Sequence, residues 1–318
     1  MRAPISLDLH ITNFNHPDTR ADRLFGLVSD IAVAAEDSGF SSISVMDHLH
    51  QIAPMGPPEN WMLEGNLTLA ALAARTQRVS LGLLVGGVTY RNPALHAKMT
   101  TTLDVISGGR AIHGLGAAWF EAEHEAYGVR FPPLKERFEH LEDALRIARA
   151  MFTEEKATVD GTHHHVAGAM NNPRPIRGDI PILIGGNGER KTLRLVAQYG
   201  DGCNLFGDVE RVRHLLGVLD GHCEAVGRDP AEITRTRMAS VIIAPTHEAA
   251  RQKLETAAAA GVPRERLETS MLGDPDSVAE QAQAYADIGI QGFTITLPDV
   301  HDLESVALAG RTLSAVFG

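Results

Sequence analysis

Cysteine is nearly missing from this chain: Cys203 and Cys223 are the only two in 318 residues. They are too few for a disulfide framework and lack metal-ligand spacing, so reduced thiols in a cytoplasm are the expectation, with no bound metal. Positive charge is also in deficit, with 29 Lys and Arg against 40 Asp and Glu and a formal net charge of -11. Nucleic acids and anionic membranes are gripped by basic surfaces that neutralise phosphate, so neither is an expected partner. No apolar run approaches the roughly 18–20 residues of a membrane span, and the start MRAPISLDLH lacks the apolar core of a signal peptide. There is no internal repeat and no low-complexity linker, which points to one domain over 1–318. The G-x-x-x-x-G-K-[ST] pattern of a nucleotide triphosphatase is missing as well. A small-molecule ligand is what these absences leave.

What is present is alternation. Eight short β-branched apolar runs lie at 5–11, 41–47, 79–85, 111–116, 180–186, 201–207, 236–244 and 291–297, and all but one follow a stretch with helical spacing. Strand-then-helix units of this kind build a parallel sheet with helices outside it, so the fold class is α/β. Eight such units close into a (β/α)8 TIM barrel, with an open doubly wound sheet as the alternative. The helices announce their ends. Segment 20–38 carries Leu24, Leu27, Val28, Ile31 and Ala35 on one face and stops at Gly39; segment 93–107 starts at Pro93 and ends in Gly108-Gly109. Near the C-terminus Asp274 or Asp276 caps a helix bearing Val278, Ala282 and Tyr285. About sixty residues separate the fourth strand from the fifth, an insertion over about 117–179. It contains an amphipathic helix at 134–152 and, at Asp160-Gly161, the signature of a two-residue hairpin turn.

In a barrel the chemistry sits at the C-terminal ends of the strands. The run SSISVMDH (41–48) ends in an acid and an imidazole. Period-two alternation puts Ser44, Met46 and His48 on one face and Ile43, Val45 and Asp47 on the other, which aims His48 at the barrel mouth as a candidate proton donor. A structural histidine and a loop-capping Asp47 are the plain alternative. In ILIGGNGERK (182–191) a strand runs into the turn Gly185-Gly186-Asn187-Gly188 and a helix expected near Glu189; with Arg190 and Lys191 this suits a phosphate. Gly86-Gly87, Gly114, Gly116, Ala117 and Ala118 clear space for a flat ligand, although barrel packing explains the same small residues. His163-His164-His165 reads as a solvated tip in preference to a metal site, since adjacent strand residues point to opposite faces; Trp61 and Trp119 read as pocket lining, with core filling as the alternative, and Glu64 as a helix N-terminal acid.

Together, SSISVMDH at 41–48, RNPALHAKMTTTLDVISGGR at 91–110, GLGAAWFEAEH at 114–124 and PILIGGNGERK at 181–191 resemble the luciferase-like monooxygenase superfamily, specifically its branch of oxidoreductases that use the deazaflavin coenzyme F420. The resemblance covers nearly the whole chain. It implies a barrel with an insertion before the fifth strand, a homodimer, and a ring lying across the mouth. Its phosphate is expected on Gly185, Gly186, Asn187 and Gly188, and a non-proline cis peptide at Leu84-Val85 is expected beneath the ring. Asp47 is implied as a cofactor-binding acid and His48 as the proton donor to substrate. In the sugar-phosphate dehydrogenases of this branch a catalytic glutamate follows the fourth strand, whereas Trp119 stands in the aligned place here, so a sugar phosphate is not expected. The function implied is hydride transfer between the deazaflavin C5 and a small organic substrate. The alternatives are an FMN-dependent monooxygenase and a barrel that binds a flavin without turning it over.

Overall fold

The first strand, β1 (Leu7–Ile11), reads LDLHI, an apolar-polar alternation, yet all five residues are buried. Alternation without exposure means that both faces are covered. In this computed structural model, which describes residues 6–317, the covering is a closed barrel. Its further strands are β2 (Ser42–Val45), β3 (Ser80–Leu83) with a two-residue continuation β4 (Gly86–Gly87), and β5 (Ala111–Gly116). A hairpin, β6 (Ala157–Asp160) and β7 (His165–Ala169), precedes β8 (Ile182–Gly185), β9 (Gly202–Leu205), β10 (Thr234–Ile243), β11 (Met271–Gly273) and β12 (Gly292–Thr296). The parallel ring runs β1-β2-β3-β5-β8-β9-β10-β12 and closes where β12 pairs with β1. This is the eight-stranded TIM barrel. Each expected strand is present, the first only as far as described, since Ile5 lies outside the described residues. The short β11, which pairs with β10, was not expected, because three residues carry no periodicity.

The described chain also holds a short 3-10 helix (Pro230–Glu232) and eleven α-helices: α1 (Ala21–Asp37), α2 (Gly65–Ala73), α3 (Pro93–Ser107), α4 (Glu121–Ala126), α5 (Leu134–Thr153), α6 (Thr192–Tyr199), α7 (Val209–Val226), α8 (His247–Ala259), α9 (Arg264–Glu268), α10 (Pro275–Ala286) and α11 (Leu303–Phe317). None is long and apolar enough to cross a membrane. Local chemistry sets their ends. Asn92 accepts hydrogen bonds from Ala94 and Leu95 N–H at the start of α3, and Asp274 accepts from Ser277 N–H at the start of α10. Helix α6 starts at Thr192, three residues later than expected, because Gly188–Lys191 first make a turn in which Leu193 N–H reaches Gly188 O at 3.0 Å.

The lumen and the outer layer are chemically opposite. Leu7, Leu9, Ile11, Ile43, Val45 and Leu81 belong to the apolar layer shared with the helices. Asp8, His10, Ser44, Asn204, Thr236 and Thr294 are buried and hydrogen-bonded to one another inside the barrel, where bulky apolar side chains are usual. Both cysteines are buried and unpaired, and burial pushes the Cys203 thiol up to about 12.

The insertion holds α4, α5 and the β6-β7 hairpin, and here two expectations are corrected. Asp160 pairs with His165, so the hairpin has a four-residue loop, Gly161–His164, instead of a two-residue turn. The cause is Asp143 of α5, whose carboxylate accepts N–H groups of Thr162, His163 and His164 and draws the loop onto the helix. His163 and His164 are therefore partly buried against α5 and are not a solvated tip; His165 is exposed.

Candidate active site at the barrel mouth

The C-terminal strand ends surround a cavity of about 550 Å³, within the roughly 300–1,000 Å³ typical of small-molecule sites. Seven of the eight ring strands contribute: His10 and Thr12 at the end of β1, Met46–His48 after β2, Leu84–Gly87 after β3, Gly116–Trp119 at the end of β5, Gly185 and Gly186 at the end of β8, Asn204 and Phe206 at β9, and Met238 from β10. Leu134 and Phe138 of α5 close one wall. Expected pocket residues Asp47, His48, Leu84, Val85, Ala117, Ala118, Trp119, Gly185 and Gly186 are thus brought together. Trp61 is not among the lining residues: thirteen positions beyond His48, it is 38% exposed, and Ile52 and Met55 of the same loop reach the cavity instead.

His48 does face the mouth, as period two requires, but its partner was not foreseen. Its Nδ1 lies 2.9 Å from Glu123 Oε2 of α4, and Trp119 and Phe120 pack edge-on against the imidazole with centroids 5.5 and 5.8 Å away. The Glu123 side chain is 0% exposed. It also accepts the Tyr90 hydroxyl proton and the N–H groups of Leu49 and His50. Burial by itself would raise its pKa, but hydrogen bonds from His48, Tyr90 and Leu49 outweigh it and bring the carboxyl down to about 2. An ionised Glu123 can only accept, so His48 Nδ1 carries a proton and Nε2 is the nitrogen left for a ligand. Burial, with the same carboxylate adding to it, holds the Tyr90 phenol above its usual range.

Asp47 points to the other side of the strand and is spoken for. Arg91 donates to both its oxygens at 2.7 and 2.8 Å, and Gly87 N–H donates at 2.9 Å. Arg91 also reaches Glu64, which accepts from Leu67 N–H as the cap of α2. Burial disfavours the guanidinium, but these two carboxylates outweigh it and raise its pKa. Asp47 therefore ties the end of β2 to the start of α3.

The Leu84-Val85 peptide is cis, as expected at the bulge after the third strand. The neighbouring glycines serve that bulge more than a ligand. A Cβ at Gly114 would sit 1.9 Å from the Leu83 carbonyl oxygen, and at Gly116 or Gly185 it would sit 2.7 or 2.8 Å from a Val85 methyl. Ala118 adopts φ 58°, an uncommon conformation for a residue with a Cβ, and its carbonyl accepts from Arg137 of α5. Such outliers cluster where a site is shaped. Beyond β8, Gly186 has φ 120°, a region that favours glycine. The Asn187 side chain is consumed: it donates to Phe206 O and accepts from Phe206 N–H, leaving only its backbone to face a ligand. Gly188 and Arg190 are exposed at the rim and do not line the cavity, while Lys191 places its ammonium 5.0 Å from the ring centre of Phe138.

Below the cavity, His10 Nδ1 meets Ser44 Oγ at 2.9 Å, and that hydroxyl donates to Asp8 Oδ2 at 2.6 Å. Burial raises the Asp8 carboxyl to about 6, against hydrogen bonds from Ser44, Ser42 and Thr294, and lowers His10 to about 3. His10 is neutral near pH 7, and its Nε2 is the nitrogen not engaged by Ser44.

The sequence profile of the luciferase-like monooxygenase family matches residues 8–268. The chain is 31% identical over 308 residues to an F420-dependent glucose-6-phosphate dehydrogenase of Nocardia farcinica, covering 86% of this chain and 88% of the relative. It is 29% identical over 309 residues to the enzyme of that name from Microbacterium testaceum, covering 86% and 88%. An F420-dependent secondary alcohol dehydrogenase, solved with an F420-acetone adduct, superimposes with a TM-score of 0.80 over 98% of this chain and 99% of its own at 17% identity, a likeness of fold. With a profile match over most of its length and a relative above 30% identity across it, the chain belongs to the luciferase-like monooxygenase family.

Proposed function

We propose that this chain is an F420-dependent oxidoreductase acting on a small, neutral organic substrate, with His48 as the group that gives or takes the substrate proton. The observation that carries this reading is the His48-Glu123 pair. A carboxylate fixes Nδ1 of an imidazole whose Nε2 is free to serve a ligand, in the same cavity that holds the Leu84-Val85 bulge and Gly186. The relatives' dependence on F420 supports the choice of cofactor.

The residues fit a planar ring with an anionic tail. The walls are largely apolar, with Met46, Leu84, Val85 and Met238 lining the space, and the Gly186 turn leaves backbone without side-chain bulk. In this reading Leu84, Val85, Ala117 and Ala118 support the ring. Backbone N–H groups of Gly185, Gly186, Asn187 and Gly188 hold the phosphate, with Arg190 and Lys191 supplying positive charge at the rim. Asp47 acts by fixing the loop that carries His48 and Gly87. When bound, the deazaflavin supplies or accepts the hydride at C5. Glu123 fixes the His48 ring through Nδ1 and leaves Nε2 toward the ligand, so one residue can protonate a carbonyl oxygen in reduction or deprotonate a hydroxyl in oxidation. Trp119 and Phe120 cover the imidazole. A homodimer, as the family resemblance implies, belongs to this reading too.

The substrate is neutral because no Lys or Arg is among the described residues lining the cavity, whereas Ile52, Met55, Phe138 and Phe206 are. A sugar phosphate, the substrate in the relatives' names, would find little counter-charge there. The test is a titration of purified protein with F420 and with FMN, then turnover of reduced and oxidised F420 with neutral ketones and secondary alcohols. F420 binding is expected, with His48→Ala cutting turnover on the order of a hundredfold at nearly unchanged cofactor affinity. Tight FMN binding without F420 binding would overturn the cofactor, and wild-type turnover in the variant would overturn the role of His48.

A further inference from the structure

The three consecutive histidines have no part in the site above, yet the fold does not leave them in solvent. On α5, Glu136, Glu139, His140 and Asp143 follow the spacing that shares one helix face. Asp143 lays the hairpin loop onto that face through three N–H bonds of 2.7 to 3.0 Å. The rings of His163 and His140 then stack with centroids 4.3 Å apart. His140 Nδ1 lies 2.8 Å from His164 Nε2, and His140 Nε2 lies 3.4 Å from Glu136 Oε1. His163 Nε2 is 2.8 Å from Glu139 Oε2.

One ligand atom each from Glu136, His140 and His163 lie within 4.8 Å of one another. Zinc bonds of about 2.0–2.2 Å in a tetrahedron place ligand atoms about 3.4 Å apart, so the Glu136-His140 edge has the required length and small rotations of His163 close the rest. Proton placement points the same way. Between His140 Nδ1 and His164 Nε2 only one proton can sit. When His140 donates it, the lone pair on Nε2 faces the Glu136 carboxylate, an arrangement of two acceptors that a cation resolves. A ligating imidazole whose other N–H is held by a neighbour is the usual second layer of a metal site.

We propose that Glu136, His140 and His163 form a binding site for a divalent transition-metal ion of the zinc type, with His164 and Asp143 as positioning residues. Two imidazoles and one carboxylate suit zinc, nickel or cobalt over magnesium or calcium, which prefer oxygen throughout. The competing cation is Arg130, which bonds Glu136; its side chain is 69% exposed, so displacing it costs little. The ion would pin the insertion hairpin to α5, the helix that contributes Leu134 and Phe138 to the cavity wall.

The experiment is calorimetric titration of untagged, chelator-treated full-length protein with Zn²⁺ near pH 7.5, with Co²⁺ absorption as a report on tetrahedral coordination. One equivalent is expected, weakened at least a hundredfold in His140→Ala and in His163→Ala, about tenfold in His164→Ala, and unchanged in His165→Ala. Melting curves of each variant separate lost binding from lost folding; His163, on a loop, keeps the test open should His140→Ala fail to fold. Absence of binding below millimolar Zn²⁺, or binding that survives both ligand substitutions, would overturn the proposal and leave the cluster a chain of proton-mediated hydrogen bonds. Neither result bears on the F420 reading, since no cofactor is involved.

Discussion

Glu123→Gln tests the charge beneath His48. Glutamine keeps the volume but puts an NH2 group where an oxygen received two donors, either His48 and Tyr90 or, turned over, the N–H groups of Leu49 and His50. The native Glu123 carboxyl falls from 4.5 to about 2 in the fold, which corresponds to about 3 kcal/mol of stability. The folded value lies below the unfolded one, so this stabilisation is complete above about pH 5.5 and is lost as pH falls toward 2. Urea unfolding at pH 7 should find the variant less stable by about 3 kcal/mol. The difference should narrow by about 1 kcal/mol at pH 4 and about 2 kcal/mol at pH 3. Turnover should drop on the order of a hundredfold, because an amide no longer selects the His48 tautomer with its proton on Nδ1. A stability gap under about 1 kcal/mol at pH 7, or one that does not change on acidification, would refute the reasoning.

Two more outcomes follow from the lumen and the glycine turn. Asp8 is the reverse case, with a folded pKa of about 6 above an unfolded 3.8, so its contribution is most favourable below pH 3.8 and fades as pH rises through 6. Asp8→Asn should therefore gain on the wild type by under about 1 kcal/mol at pH 4 and about 3 kcal/mol at pH 8, relative to fully acidic conditions; denaturation curves showing a pH-independent difference would sink the assignment of a buried carboxyl with raised pKa. Gly186→Val forces a branched residue into φ 120° and should cost about 1–3 kcal/mol in stability. F420 affinity in that variant should fall at least tenfold, and wild-type affinity in a fluorescence titration would remove the turn from the cofactor site.

Much of the architecture could be read from the chain because its determinants are local. The alternation of short apolar runs with amphipathic stretches predicted all eight barrel strands, and Pro93 and, of the two aspartates offered, Asp274 marked helix starts found at those residues. Period-two alternation also turned His48 toward the mouth. The misses fall where a distant group competes with a local signal. Asp160-Gly161 has the composition of a tight turn, but Asp143, about twenty residues earlier, captures three N–H groups of the loop and lengthens it. The glycines of β5 were candidates for ligand clearance and Gly185 of β8 for phosphate binding, yet their closest neighbours are Leu83 and Val85. Glu123 was visible only as one acid among several in WFEAEHEA.

Sequence alone determined the order of elements, the end of the barrel where chemistry can occur, and the imidazole that faces it, since hydrogen-bonding propensity, capping and side-chain alternation act over a few residues. Only the closed barrel decided what each side chain does there. It pairs His48 with a carboxylate 75 positions away, hands Asp47 to Arg91, joins Ser44 to Asp8 beneath the cavity, and turns Asn187 from a ligand toward Phe206. Those partners meet because strands distant in the chain end at one rim, where burial removes water and leaves each polar group to find its complement in the protein.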